Sequence, residues 1–565
     1  MFYVGLYRLF CSGIVEIRKG QRNYPDNNYK SEVYMSKKIV IKLNGKDVEV
    51  EKGQTILQAA KAYGVDIPHY CYHPGLSIAG NCRMCLVNVA LKNPRNPEAP
   101  AKWMPKPFIA CQTTVSPGME VDTESEKTKA IQQAIMEFLL INHPLDCPEC
   151  DQAGECRLQD YSYEYGQDRS RFIEEKNVRR IKNVGPHIAL WGTRCIVCSR
   201  CVRFLQEISG TGELSVFERG DRSVVDIHPR REVDNPLAGN VVDLCPVGAL
   251  VSRDFLYKAR VWFLEHTNSI CNRCSKGCNI RVDSLDGNIK RIKPRMNMAV
   301  NEYWMCDYGR FGWKSIYSDD RLLSPLRQSA PVDWKTAYHE LKDTLTKAKG
   351  GGIGALVSMY ATNEELYLIN QLAKKSLGIE MIAPLEVEVK NDEVFPKFTI
   401  PGDKQPNRKG FDLILGETVS YDQIMDEIES KSLKSLIVFG GIPDYQYKFE
   451  LVEAAEDLKI LILFDLMKSD LTRIAHLTFP MLSFAEKSGT YVNADGRVQR
   501  FDKAVEPNFP AHEEINILQK MIKIQSGSQK TLTPGAIFGR LAREHSSFKR
   551  INYKSLGDQG QNIVL

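Results

Sequence analysis

The stretch CIVCSRC at residues 195–201, with Cys245-Pro246 far downstream, decides the reading of this chain. It sets Cys195, Cys198 and Cys201 two residues apart around a turn and brings a fourth cysteine back from a distance. Three thiolates at that spacing fit the corners of one inorganic cube, and a remote Cys-Pro supplies the last corner of a [4Fe–4S] site. No second run of this kind lies in the region, so Cys245 is assigned to the same centre. Pro246 removes a backbone donor and fixes the local turn. Tetrahedral zinc is the competing occupant of a four-cysteine set.

Upstream, HPLDCPECDQAGEC at residues 143–156 holds Cys147, Cys150 and Cys156, one thiolate short of a four-iron site. His143 ends a helical segment that can aim it and is the expected fourth ligand. Imidazole is neutral where thiolate is negative, so such a centre carries one less negative charge and a raised potential. Further upstream, Cys71, Cys82, Cys85 and Cys111 are separated by ten, two and twenty-five residues. Four thiolates around a loop suit a [2Fe–2S] cluster, two to each iron. Gly80 would let backbone approach the sulfurs, and Asn81 tolerates left-handed angles. Downstream, Cys271, Cys274 and Cys278 fall around a turn, and Cys306 returns after a strand pair. This set reads as a third [4Fe–4S] site, with zinc a stronger competitor because loosely spaced C-x2-C pairs also suit it. Fifteen of the sixteen cysteines and His143 make sixteen ligands, the number four clusters need, with Cys11 left over.

The chain has 565 residues, enough for several domains, and 43% of them are hydrophobic. Lysine plus arginine total 75 and aspartate plus glutamate 70, a net charge of +5 without the concentrated basic face that nucleic acid requires. No apolar run reaches the ~18 residues of a membrane span, and LKILILF at 458–464 reads as a buried strand ended by Asp465. Disulfide scaffolds are small and spread their cysteines through the fold, whereas here none follows Cys306. Bunched C-x2-C groups without a secretory signal point to metal or redox centres in a reducing cytoplasm.

Residues 38–50 alternate apolar and polar around Asn44-Gly45, a hairpin signal. A short helix over Ile56–Tyr63, stopped by Gly64, follows it. Hairpin, helix and cysteine loop is the order of a plant-type ferredoxin, a β-grasp fold, but its first spacing there is four residues instead of ten. A second helix carries Ile131, Ile135, Phe138 and Leu139 as a packing stripe and ends at Asn142-His143-Pro144. A strand pair turns at Asp286-Gly287. From about residue 330, apolar strands (353–358, 413–415, 436–439 and 460–464) alternate with helical patterns, as in a doubly wound α/β unit. The glycines at 350–352 do not form G-x-G-x-x-G and read as a loop before a strand. No motif for NADH or flavin is present.

Four cysteine sets in this order, with the phrases CRMC, HPLDCPECDQAGEC, CIVCSRCVRF and CPVGAL, resemble the large iron–sulfur subunits (G type) of bacterial respiratory complex I, the NADH-quinone oxidoreductase. The resemblance covers roughly residues 36–520. It implies an electron relay: electrons come from NADH through a flavin-binding partner, enter at the Cys71 set, and pass the Cys195 and His143 sets. A ferredoxin-like [4Fe–4S] partner then leads to quinone, with protons moved by a membrane arm touched only indirectly. It implies a peripheral place on the cytoplasmic side of the bacterial inner membrane, and the Cys271 set as an off-path cluster of some bacteria. The back half resembles a molybdopterin oxidoreductase, entering at 321–326 and carrying EKSGTYVN (486–493) with GRVQ (496–499). No cysteine follows Cys306 to hold molybdenum, so a scaffold without molybdenum cofactor or flavin is expected.

The expected fold is α+β and multidomain. A disordered or mis-started extension (1–34) precedes a β-grasp [2Fe–2S] domain (35–117) and a helix with the histidine–cysteine segment (118–157). A ferredoxin-like [4Fe–4S] domain (158–255) and a molybdopterin-type [4Fe–4S] module (256–320) come next. A truncated molybdopterin-oxidoreductase-like α/β unit (321–524) and a polar, loosely ordered tail (525–565) complete it. Rival readings are a formate dehydrogenase catalytic chain, an iron hydrogenase and a zinc scaffold. Replacing the neutral ligand tests the second set: in His143→Cys, a redox titration of its cluster is expected to give a lower potential. An unchanged potential with the cluster intact would contradict the ligand assignment.

Overall fold

A computed structural model of the chain describes residues 38–96, 98–348, 352–526 and 531–564. The expected extension at 1–34, together with Gly350 and Gly351, lies outside them. Strands Lys38–Leu43 and Lys46–Glu51 form an antiparallel hairpin whose turn residues Asn44 and Gly45 sit at φ 46° and 80°. Both angles are positive, as a two-residue turn matched to strand twist demands. Glu120–Asp122 pairs parallel with the first strand and antiparallel with Leu86–Leu91. The helix Ile56–Ala62 starts at Thr55 in a reciprocal capping box with Gln58. It buries Ile56, Leu57, Ala59 and Ala60 against Val87, Val89 and Val121, the β-grasp core, which also holds Cys85 and Cys111.

The helix Glu126–Leu140 begins at Ser125 and ends just before His143. Its fully buried row is Thr128, Gln132 and Met136; of the expected apolar stripe, Ile135 and Leu139 are half-buried and pack against the second core, whereas Phe138 is 65% exposed. The i, i+4 row wins because it faces the β-grasp domain, where the Tyr70 hydroxyl donates to Met136 Sδ at 3.2 Å. Helices Arg157–Tyr165, Arg200–Glu207 and Asn240–Leu244 then surround a second core. That core contains Cys71, Cys156, Cys198, Cys201, Cys245, Cys271, Cys278 and Cys306, so one continuous apolar interior reaches thiols of all four sets. The pair Asn279–Leu285 and Asn288–Pro294 turns at Asp286-Gly287 as expected, with Glu265–Ile270 as third strand.

In the back half, Leu477–Pro480, Ile460–Asp465, Ser435–Phe439, Ile353–Ser358 and Met381–Leu385 lie parallel in that spatial order. Ile462 and Phe464 feed one face and Leu461 and Leu463 the other, as period-two strands buried on both sides must. Residues 413–415 are not a strand. They end the helix Arg408–Leu415, where Phe411, Ile414 and Leu415 share a buried face and Gly416 stops the chain at φ 72°. The expected loose tail is packed as well. Thr533 caps the helix Pro534–Glu544, which buries Ile537, Phe538 and Leu541 in the α/β core, and Gln561–Asn562 adds a strand to Arg497–Phe501. Its apolar residues recur at helical spacing within a polar background, and only the core shows where they go. Phe538→Ala should therefore cost about 3–5 kcal/mol in denaturant unfolding of the α/β unit, a loss that an unpacked tail would not show.

Candidate metal centres

The first set gathers in the β-grasp loop. The Cys111 thiol meets those of Cys71 and Cys85, and Cys71 meets Cys82. Hydrogen bonds from the Cys111 and Cys82 thiols, against burial, hold Cys71 far below the ordinary thiol range. The Cys71 amide also donates to Cys82 Sγ at 3.5 Å. Gly80 and Arg83 take left-handed φ near 60°, whereas Asn81 does not. Asn81 serves differently: its side-chain amide donates to Val197 O in the third set at 3.1 Å.

In the third set the loop itself is strained. Val197 and Ser199 sit at φ 52° and 61°, and a β-branched residue rarely adopts such an angle. The twist turns the Val197 amide onto Cys195 Sγ at 3.4 Å. Amides of Leu250, Val247 and Ala249 face Cys245 in the same way. Burial pushes Cys195 up to about 12 and Cys198 up to about 11, and it also raises Cys201 and Cys245. Without a metal these thiols stay protonated, so loading must displace protons.

Two arginines of the helix Arg200–Glu207 join the first and third sets. Arg203 Nη2 donates to Cys71 O at 2.5 Å and to Cys198 O at 3.5 Å, and Nη1 donates to Ser77 O. Arg200 donates to Tyr72 O at 2.5 Å and to Leu244 O at 3.4 Å. The main chain of two ligand loops is thus held by planar, permanently charged donors.

The second set lies against the third. Cys156 Sγ is 3.8 Å from Pro246 O, and a side chain on Gly248 would collide with Cys150 Sγ. Cys150 and Cys156 are buried and Cys147 is exposed. Cys156 opens the helix Arg157–Tyr165, whose amides at Leu158 and Gln159 face its sulfur, although burial raises the thiol to about 12. Cys150 acts electrostatically on Cys156, and Cys147 on Cys150. The groups acting on His143 are Arg194, Asp146 and Lys176, not a thiol. Burial, and after it the Arg194 charge, lowers His143 to about 4, so it is neutral imidazole at neutral pH, the form that binds metal. Its Nδ1 is buried with no partner, an orphaned acceptor that a metal would satisfy.

The fourth set is buried throughout, and burial raises all four thiols, Cys306 to about 12. The Cys271 amide donates to Cys278 O at 2.9 Å, and a Cβ on Gly309 would come within 2.8 Å of Cys271 Sγ. Across the described residues all fifteen cysteines are free. Among these residues no group of three or more His, Cys, Asp or Glu side chains is drawn close enough to hold one metal ion. A four-iron centre needs wider spacing than a single ion, with one protein ligand to each corner iron.

Comparisons with known families follow the same order along the chain. Residues 36–126 match a 2Fe-2S iron-sulfur cluster binding domain, and 132–171 the NADH-ubiquinone oxidoreductase-G iron-sulfur binding region. Residues 185–251 match the ferredoxin-like domain of NADH-quinone oxidoreductase subunit 3. Residues 264–318 match the molybdopterin oxidoreductase Fe4S4 domain, and 401–524 match molybdopterin oxidoreductase. Fold and matches together define an iron–sulfur protein joined to a molybdopterin-oxidoreductase-like α/β unit.

The G subunit of the Rickettsia felis NADH-quinone oxidoreductase is 39% identical over 341 residues, 60% of this chain and 49% of that one. The mitochondrial NADH dehydrogenase [ubiquinone] iron-sulfur protein 1 of Solanum tuberosum is 40% identical over 60% of this chain and 45% of its own. The 78 kDa subunit of the Neurospora crassa NADH-ubiquinone oxidoreductase is 40% identical over 63% and 48%. The matched part of this chain is a homologue of the G subunits of the NADH-quinone oxidoreductases, and the chain spans about half the length of these relatives. A solved NAD+-reducing [NiFe]-hydrogenase chain is 30% identical over 40% of this chain and 91% of its own, with a TM-score of 0.34.

Sequence reasoning missed Arg194, Arg200, Arg203 and Gly248. Arg200 and Arg203 lie within CIVCSRCVRF, Arg194 just before it and Gly248 within CPVGAL, but nothing in the spacing tells which way their side chains turn. Gly248→Ala is expected to remove the second set's cluster and leave the third, seen as iron content lower by about four atoms per chain with the Cys195-set signal retained.

Proposed function

We propose that this chain holds one [2Fe–2S] cluster on Cys71, Cys82, Cys85 and Cys111. In the same reading it holds three [4Fe–4S] clusters, on His143 with Cys147, Cys150 and Cys156; on Cys195, Cys198, Cys201 and Cys245; and on Cys271, Cys274, Cys278 and Cys306. It serves as the electron-carrying subunit of an NADH:quinone oxidoreductase whose partner subunits translocate protons. Its neighbours are a flavin- and NADH-binding subunit and a ferredoxin-like [4Fe–4S] subunit; the membrane arm is reached indirectly and nucleic acid is not a partner. Bound clusters would each supply one reversible electron at a potential set by ligand type, burial and hydrogen bonds to sulfur.

The observation that carries this reading is the single interior that reaches thiols of all four sets. Residues of the chain hold the loops around that interior. Amides of Cys71, Val197, Val247 and Ala249 face sulfur, Arg200 and Arg203 hold loop spacing, and Asn81 joins the first loop to the third. Among the described residues no helix is long and apolar enough to cross a membrane. That supports a peripheral place, proposed on the cytoplasmic side of the bacterial inner membrane.

A molybdopterin oxidoreductase, such as a formate dehydrogenase chain, is the second reading, favoured by the matches over 264–318 and 401–524. The sheet reverses its order between Ile353–Ser358 and Ser435–Phe439, the place where doubly wound sheets bind ligands. There Tyr360, Arg273 and Lys487 line a cleft of about 20 Å³, room for about one water. A scaffold without that cofactor is the reading these side chains support. Metal analysis of anaerobically purified protein should return about 14 iron atoms per chain, without stoichiometric zinc or molybdenum. About 10 irons and one zinc would make the Cys271 set structural, and stoichiometric molybdenum would favour the second reading.

A further inference from the structure

Arg194 is 1% exposed, one of the largest fully buried side chains in the protein. Its main chain precedes Cys195 and so belongs to the third set, but its side chain turns towards the second. Its charge acts on His143, Cys150 and Asp151, and it is absent from the main influences on Cys195. Nε donates to Asp146 Oδ2 at 2.9 Å, and the guanidinium lies 3.8 Å from the centre of the Trp191 ring. Its Cδ and Cys150 Sγ both border the space beside Gly248.

Both Nη atoms are nevertheless buried without an acceptor. A charged donor left in that state is strongly unfavourable. His143, whose Nδ1 is also orphaned, is near enough to feel the Arg194 charge. Two buried orphans, one an imidazole acceptor and one a cationic donor, ask for a partner that accepts a metal bond and offers negative acceptor atoms. A four-iron core carried by three thiolates offers both.

We propose that Arg194 donates through its free Nη groups to the sulfur atoms of the centre held by His143, Cys147, Cys150 and Cys156. By that direct contact it raises the potential of that centre. The inference rests on the cluster assignment proposed above. Reduction adds one electron and no bond is made or broken in the protein, so a fixed adjacent cation favours the reduced form. Trp191 and Asp146 hold the guanidinium plane, and no other set has an arginine with both terminal nitrogens orphaned among the described residues.

The test uses the purified holo-complex, titrated with redox mediators and followed by EPR, with Arg194→Met and Arg194→Lys beside the parent. Arg194→Met is expected to lower the reduction equilibrium of the histidine-ligated centre about tenfold, about 59 mV for one electron. The other three centres should be unshifted and iron content preserved. Arg194→Lys keeps the charge without the fork, so its potential should fall between the two and exchangeable-proton couplings to this centre should weaken. A parent-like potential in Arg194→Met at full iron content would overturn the proposal. If Arg194→Met fails to assemble the centre, Arg194→Lys decides: parent-like potential and couplings overturn it, a shift in both supports it. Parent protein lacking any four-iron signal from the His143 set would instead overturn the cluster assignment, and this proposal with it.

Discussion

The guanidinium of Arg203 holds the carbonyls of Cys71, Ser77 and Cys198 on one planar cation, and the placement of the first cysteine set against the third depends on that tie. Thiolate loops are poor building material by themselves, since their side chains are committed to metal and their backbones are irregular. Val197 and Ser199 at positive φ show how far the chain must bend to aim amides at sulfur. Such a loop keeps its shape only when something outside it over-determines the geometry. Here arginines do so, reaching across modules to carbonyls that no helix or sheet satisfies.

Arginines tie other parts of the assembly as well, to carboxylates and to a carbonyl. Arg291 bridges Glu155, beside Cys156, to Asp283 in the hairpin of the fourth set. Arg260 donates to Cys150 O, and Arg310 joins Asp243 to the helix that follows Cys306. These cations do more than position. They also carry charge into an interior where it is weakly screened, Arg291 paired with Glu155 and Asp283 and Arg310 with Asp243 and Asp307.

The α/β unit joins this assembly through the phrase that marks its family resemblance. Asn493 donates to Lys276 O and Gln499 to Asn279 Oδ1, next to the ligand loop of the fourth set. Gly277 is bare because Gln499 fills the space its side chain would take. Behind that contact Glu486 pairs with Arg321, and Lys487 with Glu365 and Glu514, all buried. Buried pairs of this kind specify one arrangement more than they add stability. The phrase therefore braces the α/β unit against the loop of the fourth cysteine set.

Spacing alone proposed which cysteines belong together, because the closely spaced cysteines of each set fall in runs whose lengths are readable. It also determined the hairpin at Asn44-Gly45, the Asp286-Gly287 turn and the apolar cores of three parallel strands, all local patterns of period two or of turn chemistry. Tertiary structure decided the rest. It buried Thr128, Gln132 and Met136 and left Phe138 exposed, made residues 413–415 helical, and packed Phe538 into a core that its polar surroundings concealed. It alone decided that Arg194, Arg200 and Arg203 turn inward. Their partners are backbone carbonyls up to 132 positions away in the chain and, for Arg194, the Asp146 carboxylate, and a carbonyl leaves no mark on the sequence that spacing or periodicity could read.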